Sequence, residues 1–480
     1  MARRTKIVAT IGPASASAEV LAAMVDAGMD VARVGLAHGT PEDHARSIQR
    51  VRSVAEERGR AVGVLADLPG PKVRTGAFPE GGVFLVEGSQ LRLVEGDGPS
   101  GGEVIEVEFA GALSGLRADD QVVLGDGAVL LRVVAPPDAS GATAVVLRGG
   151  RIQGRPGVHL PAGRLDLRSP TTEDLQLLEA CTNHGVDLVA VSLVRSAADV
   201  HTVREAAGAD PPMIVAKVET RAAVEDLDAI IAAADGLMVA RGDLGNRLLL
   251  EDIPHVQKRV IRSCAEAGVP VITATQMLES MTYAPTPTRA EVSDVANAVL
   301  DGTDAVMLSG ETAIGLDPTN VVATMARITE RAEREADYPR WGGRLGRLQR
   351  LSDTPVSTEA RLTDAISHAG WQAAASVEAA AILCCTRSGA TARAVARFRS
   401  LSPMIAMSPS ARTANQLALT WGVLPLVVPE YGSIEDMVWF AVETVWKLGY
   451  VHKGDVVAVL AGSPDDPEPT TDVLRLVRVR

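Results

Sequence analysis

Short apolar runs rich in valine, isoleucine and alanine alternate with longer amphipathic stretches over the first two-thirds of the chain. Such runs are typical of buried parallel strands, and the amphipathic stretches between them predict helices. The predicted strands are 6–11, 30–36, 61–65, 187–193, 213–218, 236–240, 270–275 and 304–308. Eight strands separated by helices such as 41–58, 172–183 and 253–267 predict a closed (β/α)8 barrel of the TIM type.

One connection in this pattern is too long for a single helix. Residues 71–165, after the third strand, are rich in glycine and contain short runs in which apolar and polar positions alternate. This pattern predicts a small inserted β-barrel domain. An insertion after a barrel strand lies at the carboxyl-terminal mouth, where active sites of this fold lie, so we expect the domain to act as a lid.

After the barrel, the chain returns to β/α alternation. Residues 337–358 are rich in glycine, proline, arginine and serine and predict a linker. The strands and helices that follow predict a doubly wound α/β domain. We therefore predict an α/β protein of three domains: the barrel over 1–70 and 166–340, the lid over 71–165, and the C-terminal domain over 341–480.

Polar side chains stand at the ends of the predicted barrel strands. Residues two apart share one face of a strand, and the ends of parallel barrel strands meet at one mouth. The pairs are Arg33 and Gly35, Lys217 and Glu219, Arg241 and Asp243, Thr273 and Thr275, and Ser309 and Glu311, with Asp67 after the third strand. We expect these positions to converge on one site.

Two carboxylates of this set, Glu219 and Asp243, come from neighbouring strands, with no histidine or cysteine beside them. Such oxygen donors suit Mg²⁺ or Mn²⁺, with water and substrate oxygens completing the coordination. Arg33, Arg74 and Lys217 bring positive charge to the same mouth. A divalent ion with several cations indicates phosphoryl transfer, which depends on positioning and charge neutralisation. A ring of salt bridges that closes the top of the barrel is the alternative.

Composition narrows the class of protein. The chain has 60 acidic and 47 basic residues and a net charge of −13, which argues against a protein that binds nucleic acid without regard to sequence. Apolar runs are too short to span a bilayer, and we expect no secretory signal. Four scattered cysteines fit a reduced, cytoplasmic compartment. Only six lysines occur, so Lys217 marks a position where arginine would not serve.

Four segments of the chain resemble pyruvate kinase. They are residues 5–15, 240–245, 273–281 and 288–312, which read TKIVATIGPAS, ARGDLG, TATQMLESM and TRAEVSDVANAVLDGTDAVMLSGET. The likeness covers all three predicted domains. It implies transfer of the phosphoryl group of phosphoenolpyruvate to ADP, giving pyruvate and ATP, and it implies a homotetramer.

The resemblance also implies roles for the residues at the mouth. By the family pattern, Glu219 and Asp243 hold Mg²⁺ with the substrate, and Lys217 stabilises the transferring phosphoryl group. Arg33 binds the phosphate of the substrate. The two residues that the resemblance assigns to the nucleotide phosphates are His38 and Arg74.

A second group of residues is assigned to the substrate carboxylate and to the proton. The backbone N–H groups of Gly242 and Asp243, together with Thr275, would hold the carboxylate. Thr275 and Ser309 would belong to the relay that protonates the enolate through water.

The potassium site of the family departs from its usual pattern here. Segment 33–39 reads RVGLAHG where the family usually has RLNFSHG, so two oxygen ligands are missing, although Asp67 remains. Segment 70–74 reads GPKVR where potassium-dependent members have GPEIR. The ammonium of Lys72 would replace the monovalent ion, as in the K⁺-independent branch of the family, which predicts turnover without K⁺. A solvated lysine at the hinge of the lid is the alternative.

Other departures fall on nucleotide and subunit contacts. Pro156 stands where the lid usually has a lysine, and Asn246-Arg247 stands where the family has Val-Glu. Thr286 replaces an arginine, and Ile314 replaces a lysine. The metal and phosphoryl-transfer residues are unaffected by these changes.

A loop in the C-terminal domain has the composition of a phosphate site. The residues are Thr386, Arg387, Ser388, Gly389 and Thr391. Hydroxyls, an arginine and N–H groups before a helix suit a phosphate, and the resemblance places a sugar-phosphate effector here; a helix cap and turn is the alternative. The late loop 462–470 carries three acidic residues that would repel a second phosphate. We therefore predict a monophosphate effector over a bisphosphate.

Three functions are compatible with these observations. The first is an active, allosterically regulated pyruvate kinase. The second is another Mg²⁺-dependent barrel enzyme that acts on pyruvate enolates, such as an aldolase, which would need neither the lid nor the C-terminal domain. The third is a catalytically weak, effector-sensing protein, which the altered potassium site suggests.

Overall fold

The computed structural model describes residues 3–71, 73–125, 127–138, 140–161, 168–245, 247–351, 357–462 and 470–480. The predictions on Lys72, on Asn246 and on the acidic residues of the 462–470 loop lie outside these residues. The predicted domain boundary at 165/166 does so as well, and the three boundaries remain predictions.

Eight parallel strands close into a barrel in the described part of the chain, in the order β1-β16-β15-β14-β13-β12-β3-β2. They are β1 (Lys6–Ile11), β2 (Val31–Gly35), β3 (Gly63–Leu68), β12 (Leu188–Val191), β13 (Met213–Val218), β14 (Gly236–Ala240), β15 (Val271–Ala274) and β16 (Ala305–Leu308). The strands are apolar on both faces because helices cover the outside and side chains fill the inside. In β1, Val8 belongs to the interior cluster, and Ile7 and Ala9 pack in the outer one. The predicted barrel is confirmed.

Helices follow most of the barrel strands. They are α1 (Ala18–Ala27), α2 (Pro41–Glu57), α3 (Thr172–Asn183), α4 (Ala197–Ala206), α5 (Arg221–Glu225), α6 (Leu227–Ala233), α7 (Arg241–Gly245), α8 (Ile253–Ala267), α9 (Arg289–Asp301), α10 (Gly310–Ala313) and α11 (Pro318–Glu333). Capping boxes start several of them, as where Thr288 and Glu291 bond each other's backbone N–H at α9. Within the described ranges, no helix combines the length and the apolar character needed to cross a membrane.

The insertion between β3 and α3 consists of two sheets. One contains β4 (Val83–Leu85) and β10 (Gly150–Ile152), and the other has the order β11-β7-β8-β9-β5-β6. The strands of the second sheet are β5 (Gln90–Glu95), β6 (Val104–Val107), β7 (Gln121–Leu124), β8 (Val129–Asp138), β9 (Gly141–Arg148) and β11 (Val158–His159). Both sheets bury side chains in one core, Leu85 from the first and Leu131 from the second. The insertion is therefore a β-rich unit with its own core, which we call the lid.

The C-terminal part forms a five-stranded sheet in the order β19-β18-β17-β20-β21. Its strands are β17 (Ala381–Cys385), β18 (Met404–Ser408), β19 (Val423–Val427), β20 (Val456–Ala461) and β21 (Val473–Arg478). Its helices are α13 (Thr358–Ser376), α14 (Ala390–Ala396), α15 (Ala411–Leu417) and α16 (Ile434–Lys447). The last strand, β21, pairs antiparallel to β20 and was not predicted.

The predicted linker over 337–358 is wrong for most of its length. Tyr338–Leu351 forms the helix α12. Tyr338 and Leu345 lie seven residues apart, on one face of this helix, and both are buried. The indole N–H of Trp341 donates to the carbonyl oxygen of Arg397 at 3.1 Å. The glycines and arginines between these residues hide a narrow apolar stripe, because tertiary contacts outweigh helix propensity here.

The C-terminal part covers the amino-terminal end of the barrel. Ala418 and Leu419 join the cluster of side chains inside the barrel. The Lys6 ammonium donates to the carbonyl oxygen of Val423 at 2.8 Å, and Arg399 pairs with Asp304 at 2.9 Å. These contacts occupy the end of the barrel opposite the carboxyl-terminal mouth.

Candidate active site

Lys217 is the centre of the polar cluster at the carboxyl ends of the strands. Its ammonium lies 2.9 Å from Oε1 of Glu219 and 3.3 Å from Oδ1 of Asp67, and it donates to Oγ of Ser192 at 2.8 Å. Its side chain is buried. Burial lowers the pKa of Lys217, but the carboxylates of Asp67 and Glu219 outweigh it, so the pKa is raised above its ordinary value. Lys217 therefore holds a fixed positive charge at the mouth.

Asp67 joins the two predicted cations of the site. One carboxylate oxygen, Oδ1, faces Lys217, and the other accepts from Nε of Arg33 at 2.7 Å. A second nitrogen of the Arg33 guanidinium donates to the hydroxyl of Thr10 at 2.9 Å. The structure thus brings Arg33, Asp67 and Lys217 together, as the sequence analysis expected of these strand-end positions.

The two carboxylate oxygens of Glu219 have different partners. Oε2 accepts from the backbone N–H of Leu193 at 2.8 Å. Oε1 is buried and contacts the Lys217 ammonium at 2.9 Å. Burial raises the pKa of Glu219, Lys217 opposes this effect, and the nearby negative charge of Asp243 adds to it. A buried carboxylate whose charged form is disfavoured suits a site that gains a cation.

A divalent cation fits this donor set. Asp243, in the short helix α7, and Glu219 offer carboxylate oxygens, and a bound cation would offset the repulsion between these two negative charges. Among the described residues there is no group of three or more histidine, cysteine, aspartate or glutamate side chains that could hold a metal ion. Two carboxylates leave positions for substrate oxygens and water, which is usual for Mg²⁺ bound with a phosphorylated substrate.

The turn after β15 brings Thr275 against Gly242. The backbone N–H of Gly242 donates to the Thr275 hydroxyl at 2.8 Å, and that hydroxyl donates to the carbonyl oxygen of Ala274 at 2.6 Å. Thr275 has a backbone φ of 66°, which residues other than glycine rarely adopt, so the turn is strained here. A substrate carboxylate that used the Gly242 N–H would have to replace this internal hydrogen bond.

Arg241 does not point into the mouth, which corrects the expectation from strand alternation. Its guanidinium is buried, pairs with Asp294 at 2.7 Å and donates to the carbonyl oxygen of Thr275 at 2.6 Å. Residue 241 already belongs to α7, so the two-residue alternation of β14 no longer applies to it. Arg241 instead supports the turn that carries Thr275.

Glu311, which alternation pairs with Ser309, also serves the backbone. Its carboxylate accepts from the N–H of Ser309 at 2.6 Å and from the N–H of Leu278 at 3.1 Å. These two bonds tie the ends of β15 and β16 together and leave Ser309 half-buried at the mouth.

The residues predicted for the nucleotide lie in the loop after β2 and at the start of the lid. His38 is exposed in the loop between β2 and α2, and its carbonyl oxygen contacts Nε2 of His44 at 2.8 Å. Arg74 lies at the start of the lid, where it donates to the carbonyl oxygen of Arg155 at 3.3 Å. Their assignment to ADP remains a prediction.

Four of the five predicted effector residues line a cavity of about 230 Å³ in the C-terminal part, and Gly389 is not among its lining residues. The Gly389 N–H donates to the Thr386 hydroxyl at 2.9 Å, and the hydroxyls of Thr391 and Thr471 lie 2.7 Å apart. The Arg387 guanidinium pairs with Glu430 at 2.8 Å. The remaining predicted residue that lines the cavity is Ser388.

Sequence reasoning missed the residues that orient the cations. Ser192 bonds Lys217, Thr10 bonds Arg33, and the Leu193 N–H bonds Glu219. Ser192 lies near the end of the predicted strand 187–193, and in the structure it directly follows β12, so its position close to a strand end was the signal available. The residues it would contact depend on the register of β12 and β13, in which Val191 lies opposite Ala216.

The fold and the site define a (β/α)8-barrel enzyme with an inserted β domain and a C-terminal α/β domain. Residues 2–322 match the family model for the barrel domain of pyruvate kinase, and residues 364–477 match the model for its alpha/beta domain. The chain belongs to the pyruvate kinase family, and it is a phosphotransferase.

Curated relatives agree with this assignment over the full chain. Pyruvate kinase of Corynebacterium glutamicum is 39% identical over 479 residues, which cover 99% of this chain and 98% of the relative. Pyruvate kinase of Mycobacterium tuberculosis is 38% identical and covers 100% of this chain and 99% of the relative. Pyruvate kinase of Geobacillus stearothermophilus is 38% identical, with 99% of this chain and 80% of the relative covered.

Proposed function

We propose that this chain catalyses the Mg²⁺-dependent transfer of the phosphoryl group of phosphoenolpyruvate to ADP. The observation that carries the proposal is the buried Lys217 ammonium, fixed between Glu219, Asp67 and Ser192 at the carboxyl end of the barrel. Phosphoryl transfer needs positive charge at a defined position more than it needs a covalent intermediate. A lysine held by three acceptors provides such a position.

In this reaction the bond between phosphorus and the enol oxygen breaks, and a bond from phosphorus to a terminal oxygen of ADP forms. Arg33 binds the phosphate of phosphoenolpyruvate, and Lys217 balances the charge of the group in transfer. Glu219 and Asp243 would hold Mg²⁺, which supplies further neutralisation of phosphate and enolate oxygens when bound. Asp67 keeps the two cations at a fixed separation through its two oxygens.

The enolate that remains takes a proton at carbon 3 to become pyruvate. Thr275 and Ser309 stand at the ends of the adjacent strands β15 and β16, where a water between them could deliver this proton. Gly242 and Thr275 would hold the carboxylate of the substrate, and His38 and Arg74 would contact the phosphates of ADP as it enters from the lid side.

We also propose that turnover does not require K⁺. Segment 33–39 lacks two of the oxygen side chains that the family uses, because Gly35 and Ala37 have none. The oxygens of the remaining ligand, Asp67, already face Lys217 and Arg33. A cation that lost these ligands would be held weakly, and Lys72, outside the described residues, supplies a positive charge five residues after Asp67 in the sequence.

A lactate-dehydrogenase-coupled assay with Mg²⁺, ADP and phosphoenolpyruvate tests both proposals. We expect pyruvate formation that stops when Mg²⁺ is chelated, and rates in KCl within about twofold of those in a size-matched inert salt at equal ionic strength. A large activation by KCl would contradict K⁺ independence. An aldolase would give no ADP-dependent signal, and an effector-sensing protein would bind phosphoenolpyruvate without turnover.

The C-terminal cavity supports a monophosphate effector. Arg387 and the hydroxyls around it offer one cationic and hydrogen-bonding region, and Glu430 at 2.8 Å from Arg387 adds negative charge to the rim. Met407 and Met437 line the remainder with apolar surface. A second phosphate would meet the negative charge of Glu430, and Gly462 and Thr470, which line the cavity, flank a segment with three acidic residues in the sequence, whereas a single phosphate could pair with Arg387 in place of Glu430.

Steady-state assays at limiting phosphoenolpyruvate test this preference. We expect a hexose monophosphate to lower the KM for phosphoenolpyruvate by about fivefold or more, in the range of ordinary allosteric coupling, and fructose 1,6-bisphosphate to have a smaller effect. Arg387→Ala should remove the response and leave the basal rate unchanged. Equal or stronger activation by the bisphosphate would contradict the proposal.

Two exposed apolar faces support the homotetramer. Trp439 and Trp446, seven residues apart on α16, are 45% and 50% exposed, although the opposite face of this helix packs on the sheet. On the barrel, Tyr283 and Leu316 are 80% and 74% exposed beside each other. Two separate faces on one chain can build a homotetramer, as a dimer of dimers, when each face pairs with the same face of another copy.

A further inference from the structure

Ser192 is a buried serine that makes hydrogen bonds in two directions. Its hydroxyl oxygen accepts from the Lys217 ammonium at 2.8 Å, and its O–H donates to the carbonyl oxygen of Leu68 at 2.7 Å. Leu68 is the last residue of β3, the strand after which the chain leaves the barrel for the lid. One hydroxyl therefore connects the proposed catalytic cation to the outgoing connection of the lid.

Other parts of both lid connections contact the same serine. The Ser169 hydroxyl, on the returning connection, donates to the carbonyl oxygen of Ser192 at 2.6 Å. On the outgoing side, a Cβ placed on Gly70 would lie only 2.8 Å from Cβ of Ser192, so the two backbones approach closely. Gly70 also has a φ of 68°, a backbone conformation that glycine adopts more readily than other residues. Its N–H donates to Asp174, at the start of α3, at 2.9 Å.

The residue after Ser192 holds the second group of the site. Leu193 has a φ of 57°, uncommon for a leucine, and its N–H bonds Oε2 of Glu219 at 2.8 Å. Ser192 and Leu193 thus fix the lysine and the carboxylate from one turn. A backbone conformation that costs energy, kept at a point where two site residues are bonded, indicates a positioning role.

We propose that Ser192 is a positioning residue for phosphoryl transfer, which fixes the direction of the Lys217 ammonium between its carboxylate partners and connects it to both lid connections. This inference rests on the proposed function. A lysine ammonium on a flexible stem is attracted by Asp67 and Glu219, and Ser192 is the neutral acceptor among its three partners. Without the hydroxyl, the two carboxylates alone would set the position of the ammonium, and it would shift toward them and away from the phosphoryl group.

Ser192→Ala tests the role through a split between two partial reactions. A displacement of the Lys217 ammonium by about 1 Å is expected to lower kcat for ATP formation about 10- to 100-fold. The KM for ADP should change less than threefold. Mg²⁺-dependent exchange of the pyruvate methyl protons for deuterium, which involves no phosphoryl transfer, should stay within threefold of the wild type. Ser367→Ala is the matched control, since Ser367 is a buried serine in α13 that also donates to a carbonyl, that of Thr363 at 2.5 Å.

The lid connection is tested with Ser169→Ala, which removes only the bond to the Ser192 carbonyl. We expect a smaller loss of kcat in the wild-type background and no further loss in Ser192→Ala, because the two residues act in one chain of contacts.

Wild-type kcat in Ser192→Ala, or equal losses of transfer and proton exchange, would overturn the positioning role. Losses of kcat that add in the Ser169→Ala, Ser192→Ala double variant would overturn the coupling between the lid connection and Lys217. If Ser192→Ala does not fold, wild-type kcat in Ser169→Ala overturns the proposal. A wild-type enzyme without pyruvate kinase activity would instead refute the proposed function.

Discussion

Lys217→Met is expected to reduce kcat for phosphoryl transfer by about 10³-fold or more, the size of effect found when a cation or donor is removed from the transferring group. Methionine fills a similar volume without the charge. The pKa of Lys217 is raised above its ordinary value by Asp67 and Glu219, so the side chain is protonated at any assay pH. The loss therefore reports the removal of a positive charge, measured as single-turnover ATP formation with saturating substrates.

The chain contains a matched control for this substitution. Lys6 is also buried, but it lies at the opposite end of the barrel and donates to the carbonyl oxygen of Val423. Lys6→Met should leave kcat near the wild-type value because the residue lies away from the mouth, and it should lower Tm because the buried Asp30 loses one of its two counter-charges. Lys217→Met should lower Tm, because it leaves two buried carboxylates without their shared cation. Near-wild-type kcat in Lys217→Met, or an equal loss in Lys6→Met, would remove Lys217 from the mechanism.

The elements of the barrel could be predicted from the sequence where burial is two-sided or a cap is present. The predicted strands 213–218 and 236–240 match β13 and β14, because their continuous apolar runs have no helical alternative of that length. The helix 172–183 matches α3, where Thr171 and Asp174 form a capping box. The helix α12 could not be predicted, since its apolar residues find their partners only in the folded C-terminal part.

The site was predictable in its charges and not in its contacts. Alternation within β13 places Lys217 and Glu219 on one side, and they lie 2.9 Å apart. The contact of Lys217 with Asp67 joins strands that are 150 residues apart in the chain, and a single sequence holds no register between them. Arg241 shows the limit of alternation, because the strand ends one residue before it. Ser192 was missed for a related reason, as its partners come from two other segments.

Glu219→Gln is expected to separate metal binding from stability. The substitution keeps the shape of the side chain and removes one of the two carboxylates proposed for Mg²⁺. We expect the Mg²⁺ concentration for half-maximal rate to rise at least about 10-fold and kcat/KM to fall about 10²- to 10³-fold. Residues that only hydrogen-bond to a metal ligand alter metal affinity by about 10- to 100-fold, and loss of a ligand itself should have at least that effect. Titration of Mg²⁺ or Mn²⁺ in the coupled assay measures both quantities.

Stability should change in the other direction, and Asp30→Asn provides the comparison. Burial raises the pKa of Glu219, so its ionised form costs folding free energy at neutral pH, and glutamine should keep or raise Tm in the absence of metal. Burial alone would raise the pKa of Asp30 too, but Arg3 and Lys6 lower it below its ordinary value. The ionised Asp30 therefore stabilises the fold above its unfolded pKa, and Asp30→Asn should lower Tm while the Mg²⁺ requirement is unchanged. If Glu219→Gln keeps the wild-type Mg²⁺ requirement, Glu219 is not a metal ligand. If it also lowers Tm as Asp30→Asn does, the carboxylate is a structural partner of Lys217, and its buried charge stabilises the fold and does not bind the metal.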